Sequence, residues 1–122
     1  MQELEAIVRD DQKLDRMSAE ELDAMPFGMV RLDRRNRVTR YNATEARLSC
    51  RDPAKTIGRH YFEEVAPCTN TLAFRGRLEQ MLSAGVRSAR FDYRFLFPWG
   101  IRNVQIRIRI TDEARWIFVL PR

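Results

Sequence analysis

Three side chains in this sequence could do chemistry together: the thiol of Cys68 in Val65-Ala66-Pro67-Cys68-Thr69, and the phenol and carboxyl of Tyr41 and Glu45 in Tyr41-Asn42-Ala43-Thr44-Glu45. A thiol can hold a small molecule covalently. Tyr41 and Glu45 stand about one helical turn apart, so both O–H groups can converge on one acceptor atom. Pro67 has no N–H, fixes its own φ and pushes Ala66 toward extended backbone, so Cys68 is presented on a stiff loop segment. Taken singly, each has a plainer reading: a buried small hydrophobe for Cys68, a strand-end aromatic for Tyr41 and a solvated helix residue for Glu45.

Other chemistries are poorly supplied. His60 precedes Cys68 and could pair with it as a nucleophile, but no cysteine-hydrolase signature surrounds either residue, and no enzyme activity is expected. Cys50 and Cys68 lack the spacing of a redox pair, and a single histidine leaves a metal site short of ligands, so no metal is assigned. Asn42-Ala43-Thr44 matches a glycosylation sequon without any secretory signal.

The chain of 122 residues, 44% of them hydrophobic, has the size of one domain with one core. No apolar run is long enough to span a bilayer and the amino end, Met1-Gln2-Glu3-Leu4-Glu5, is acidic, so a soluble, cytoplasmic protein without membrane contact is expected. The net charge is +5, and of the 22 basic residues only Lys13 and Lys55 are lysines. The arginines alternate with apolar residues, as in Arg107-Ile108-Arg109-Ile110, which reads as the wet face of a half-buried strand, and no nucleic-acid partner is expected.

The elements that must position the three side chains follow from the patterning. Leu4, Ile7, Val8, Leu14 and Met17 suit a short amphipathic helix or a loosely held cap, and Ser18-Ala19-Glu20-Glu21 is a capping-box pattern for a second short helix ending before Pro26. Met29–Leu32 and Val38–Tyr41, joined by Asp33-Arg34-Arg35-Asn36-Arg37, predict a hairpin. Asn42 and Asp52 are candidate caps for short helical pieces reaching Glu64. Leu72–Ala84 predicts a longer helix stopped at Gly85. Phe91–Phe95, Val104–Ile110 and Trp116–Leu120 predict three further strands, giving an α+β domain.

These segments together resemble the photoactive yellow protein family. Tyr41-Asn42-Ala43-x-Glu45, Arg51-Asp52-Pro53, Ile57-Gly58 and Val65-Ala66-Pro67-Cys68-Thr69 carry the resemblance in order and spacing. Leu22-Asp23, Phe27-Gly28, Leu32-Asp33, Phe74-x-Gly76, Phe91-x-Tyr93-x-Phe95 and Trp116-x-Phe118-Val119 extend it, so that it runs from about Leu22 to the carboxyl end.

The resemblance implies a PAS fold, a central antiparallel five-stranded sheet flanked by helices, with an N-terminal cap (1–26) on a PAS core (27–122). It implies trans-p-coumaric acid as chromophore, thioester-linked to Cys68, with Tyr41 and Glu45 donating to its phenolate oxygen and Ser49 supporting Tyr41. Arg51 would cover the pocket mouth, Pro67, Phe95 and Trp99 would line it, and the Cys68 N–H would bond the thioester carbonyl. The implied function is blue-light sensing: trans-to-cis isomerisation, proton transfer from Glu45 to the phenolate, and loosening of the cap as the signal to a downstream protein or a covalently linked output domain.

The pattern departs from the family where Phe97-Pro98-Trp99-Gly100 replaces a segment bearing Tyr and Met, and where Cys50 replaces Gly and Leu96 an acidic residue. Trp99 cannot supply the thioether that assists dark recovery in the family. The alternative is a PAS module binding another ligand or serving in interactions, the sensory part of a larger signalling protein. Leu120-Pro121-Arg122 fits either a free-standing protein or such a part.

Overall fold

The computed structural model describes residues 2–122. The chain opens with three short helices, α1 (Gln2–Arg9), α2 (Asp11–Asp15) and α3 (Ala19–Asp23), followed by the hairpin β1 (Gly28–Leu32) and β2 (Val38–Tyr41). Helix α4 (Ala43–Ser49) leads into a series of single helical turns at Pro53–Lys55, Tyr61–Val65, Pro67–Thr69 and Leu72–Gly76. Helix α5 (Arg77–Ala84) then connects to β3 (Ser88–Phe97), β4 (Gly100–Ile110) and β5 (Arg115–Pro121).

The five strands form one antiparallel sheet in the order β2-β1-β5-β4-β3, so the last strand inserts beside the first and closes the chain's two ends together. Period-2 alternation divides the side chains between two faces. Val30, Ile106, Ile108, Ile117 and Val119 join Tyr41, Tyr61, Phe62, Phe74, Leu78 and Phe95 in one buried cluster. Met29, Trp116, Phe118 and Leu120, on intervening positions of the same strands, belong to a second cluster with the amino-terminal helices.

That second cluster changes the expectation for the cap. Leu4, Ile7, Val8, Leu14 and Met17 are all buried beneath α1–α3 with Phe27 and Trp116. At about 1.5–3 kcal/mol for each fully buried apolar side chain, this attachment is substantial. Polar contacts add register: Trp116 Nε1 donates to Asp15 at 2.8 Å, Arg107 to Glu5 at 2.8 Å and Arg109 to Asp11 at 2.8 Å. The Arg107 and Arg109 face is thus not wet. Their side chains are 12% and 21% exposed because the acidic outer residues of the cap lie over them. Alternation identified the face; only the fold shows what covers it.

The capping box at Ser18 forms with both reciprocal bonds, and α5 ends at Gly85 in the left-handed region (φ 70°). The expected helix over Leu72–Ala84 divides instead into a π-helical turn and α5. Leu72 is 91% exposed, since the wider turn and the Thr71 cap rotate it off the buried stripe that Phe74, Leu78 and Met81 share. Among the described residues no helix is long and apolar enough to cross a membrane.

Candidate functional site

Asn42 fixes one wall of the site. Its Oδ1 accepts from Met29 N at 2.9 Å and Glu45 N at 3.0 Å, while its Nδ2 donates to the carbonyls of Leu22 (2.8 Å) and Phe27 (3.1 Å). One buried amide therefore caps α4 and ties it to β1 and to the end of the cap, more than its role as an N-cap predicts.

The turn that begins there points Glu45 inward. Its side chain is only 2% exposed, its Oε1 is buried with no hydrogen-bond partner, and burial pushes its carboxyl up to about 8. Near neutral pH the group is therefore mostly protonated and can donate. The solvated-helix reading of Glu45 does not hold. Gly28 of β1 lies against this carboxyl: a Cβ there would collide with Oε1.

Tyr41 ends β2 and is buried, and burial first, then the negative charge of Glu45, raises its hydroxyl far above its ordinary value. Ser49 Oγ donates to the Glu45 carbonyl at 2.8 Å, leaving the Tyr41 hydroxyl as donor in its 2.7 Å bond with Ser49. If Tyr41 donates elsewhere, the Ser49 hydrogen can turn toward the Tyr41 oxygen.

Cys68 lies in the helical turn Pro67–Thr69, half-buried and packed against the cluster that contains Tyr41, Tyr61 and Phe95. Its carbonyl accepts from the Tyr93 hydroxyl at 2.5 Å, and Thr71 is 2.9 Å from that same hydroxyl. Thr69 Oγ1 donates to Ala66 O at 2.6 Å, closing the loop on itself. The stiffness expected from Pro67 is thus reinforced from two sides.

Aromatic rings of β3 form the opposite wall. Tyr93, Phe95 and Phe97 follow one another edge-to-face at 5.9 and 5.4 Å, and Trp99 stacks on Phe97 at 4.9 Å with 9° between planes. Trp99 Nε1 reaches Ser49 O at 3.5 Å, so the β3–β4 turn closes onto the end of α4. Arg51 is exposed and lines, with Cys50, Lys55 and Val65, a surface groove of about 510 Å³. Cys50 holds φ 56°, the left-handed conformation that glycine adopts without strain.

Residue types alone do not single out Tyr61, whose buried hydroxyl has no partner and whose ionisation is opposed by burial and then by Glu45. Nor do they reveal the steric role of Gly28 or the bond from Tyr93 to the Cys68 loop. The Phe27-Gly28 and Phe91-x-Tyr93-x-Phe95 matches were the available signals. Tyr41, Phe95 and Cys68 share one cluster, Ser49 and Glu45 join it through Tyr41 and the Ser49 bonds, and Trp99 reaches it through Phe97 and Ser49, whereas Pro67, expected to line the pocket, is exposed beside Cys68. Arg51 lies on the surface. The orphaned Glu45 Oε1 and Tyr61 hydroxyl suit a ligand that brings a polar oxygen, and the Cys68 thiol, packed against the same buried cluster as Tyr61, is chemically able to hold such a ligand by its sulfur.

Comparison with known proteins bears on this arrangement. The PAS fold family matches residues 16–119. The photoactive yellow protein of Halochromatium salexigens is 34% identical over 111 residues, covering 89% of each chain. That of Rhodothalassium salexigens is 34% identical over 105 residues, covering 84% of each. The crystal structure of the photoactive yellow protein domain of the sensor histidine kinase Ppr from Rhodospirillum centenum superposes with a TM-score of 0.83 at 42% identity, covering 90% of this chain and 98% of that one.

Proposed function

This chain belongs to the photoactive yellow protein family of PAS domains, and we propose that it senses blue light through p-coumaric acid joined to Cys68 as a thioester. The observation that carries this reading is the buried, unpartnered carboxyl of Glu45 beside Tyr41 on the side of the sheet where Cys68 packs. When bound, the p-coumaroyl group supplies visible absorption and a double bond that light turns from trans to cis.

The residues then have distinct tasks. Cys68 would be the tether, with its backbone N–H available to the thioester carbonyl. Tyr41 and protonated Glu45 donate to the phenolate oxygen, with Ser49 returning its hydrogen to Tyr41. Phe95 and Trp99 cover the ring, Pro67 stiffens the tether and Arg51 screens the entrance. Glu45, protonated and buried, would be the residue that yields a proton toward the phenolic oxygen, and its own carboxylate would then stand in an apolar interior. An uncompensated buried charge costs several kcal/mol, which offsets a substantial part of the contacts that hold the cap. The element that yields is the cap, residues 1–26, and its loosening is the signal to an output domain or partner; the Rhodospirillum centenum relative, a domain of a sensor histidine kinase, supports a linked output.

The test is reconstitution of the apoprotein with activated p-coumarate. Expected are a visible band that bleaches in blue light and recovers in darkness, and a thioester mass increase that maps to Cys68 and vanishes in Cys68→Ala. Absence of an adduct under conditions that label other family members would overturn the reading.

A further inference from the structure

Tyr61 opens the π-helical turn after His60, held by its N–H to Asn36 O at 2.8 Å. Its ring is wedged edge-on against Phe62 at 5.3 Å and lies 6.4 Å from Phe74, leaving the side chain 1% exposed. The hydroxyl is buried without a partner. Neighbouring hydroxyls are all engaged: Tyr41 with Ser49, Tyr93 with Cys68 O, and Thr69 with Ala66 O. The Tyr61 hydroxyl and Glu45 Oε1 are both left without a partner. A buried phenol normally finds an acceptor, because an unused O–H in an apolar interior has lost its water without replacement.

The groups around Tyr61 indicate which end of the site it serves. Tyr61 shares one buried cluster with Tyr41, and burial first, then the charge of Glu45, opposes ionisation of its hydroxyl. Its unused O–H is thus grouped with the hydroxyl of Tyr41 and the unpartnered carboxyl of Glu45.

Resting on the reading of this site as a p-coumaroyl pocket, we propose that Tyr61 is a third donor to the phenolic oxygen, beside Tyr41 and Glu45. Three donors to one oxygen saturate its lone-pair directions and hold its charge on the ring end.

Tyr61→Phe keeps the ring and its packing and removes only the oxygen. Wild type and Tyr61→Phe are both reconstituted with activated p-coumarate, and separately with activated cinnamate, which has no ring oxygen. The p-coumaroyl adduct of Tyr61→Phe should absorb at longer wavelength by several nanometres, since weaker localisation spreads the phenolate charge into the conjugated tail. Its phenolic group should bind a proton about tenfold more tightly, a rise of about one pH unit in acid titration. Thermal stability of the two proteins should differ more with p-coumaroyl than with cinnamoyl bound. Identical bands and titrations in the two p-coumaroyl adducts would overturn the role of Tyr61 while leaving the photosensor reading intact. A shifted Glu45 carboxyl infrared band in the Tyr61→Phe apoprotein, with no change in the adduct, would assign the hydroxyl to Glu45 and also overturn it. No adduct in wild type would remove both readings.

Discussion

Gly28 of β1 and Glu45 of α4 meet with no room for a further carbon: a Cβ at position 28 would overlap Oε1 and stand 3.1 Å from Cδ and 3.2 Å from Cβ of Glu45. Strand and helix can approach this closely only because residue 28 has no side chain, so the buried carboxyl is seated partly by an absence.

Gly28→Ala should therefore act through Glu45. The φ of Gly28 lies outside the left-handed region, so the cost is overlap and not backbone strain. Urea denaturation of the apoprotein should show a loss of about 1–3 kcal/mol, the usual range for an overpacked interior. Gly28→Ala combined with Glu45→Ala should recover part of it, because the two sites share one contact. Strict additivity in that double-mutant cycle would count against the contact.

Glu45 should also leave a mark on the pH dependence of folding. Its folded-state value of about 8 lies above the ordinary 4.5, so the native state holds this proton more tightly than the unfolded chain does. Its contribution is full below about pH 4.5, is lost as pH rises toward 8, and levels off beyond. Between pH 5 and 8 the loss is on the order of 4 kcal/mol. Glu5, Glu21 and Glu64 are shifted downward and act below this window. Equilibrium denaturation of the apoprotein across pH 5–8 should slope downward in wild type and flatten in Glu45→Gln; parallel slopes would refute the burial argument.

Light should loosen the cap only if Glu45 can ionise. In the reconstituted protein, amides of α1–α3 should lose hydrogen-exchange protection on illumination and regain it in darkness. Glu45→Gln should keep the chromophore yet reduce that response at least several-fold, since an amide cannot become an uncompensated charge. A full-sized change in the Gln variant would locate the trigger elsewhere.

Local patterning reached the fold well where a signal was periodic or a cap was explicit. The hairpin at Met29–Tyr41, the Ser18 capping box and the Gly85 stop all appear where residue types place them. Patterning failed where a second layer decides the outcome. Arg107 and Arg109 look solvated until Glu5 and Asp11 are folded over them. Leu72 looks buried until a π-helical turn rotates it outward. At the site, Tyr41, Glu45 and Cys68 were recognisable as a set, because their spacing is part of a sequence resemblance. Gly28 and Tyr61 were not, because an approach between strand and helix and a missing partner are properties of three dimensions alone.

The two tryptophans of the chain stand on opposite sides of the sheet. Trp116 is sealed beneath the cap by Asp15, whereas Trp99 is half-exposed between Phe97 and the Arg102 guanidinium. Each indole is an intrinsic fluorophore with its own local polarity. The molecule thus carries one optical gauge per face, and a Trp99→Phe variant would leave emission that reports the departure of the cap alone, without any attached dye.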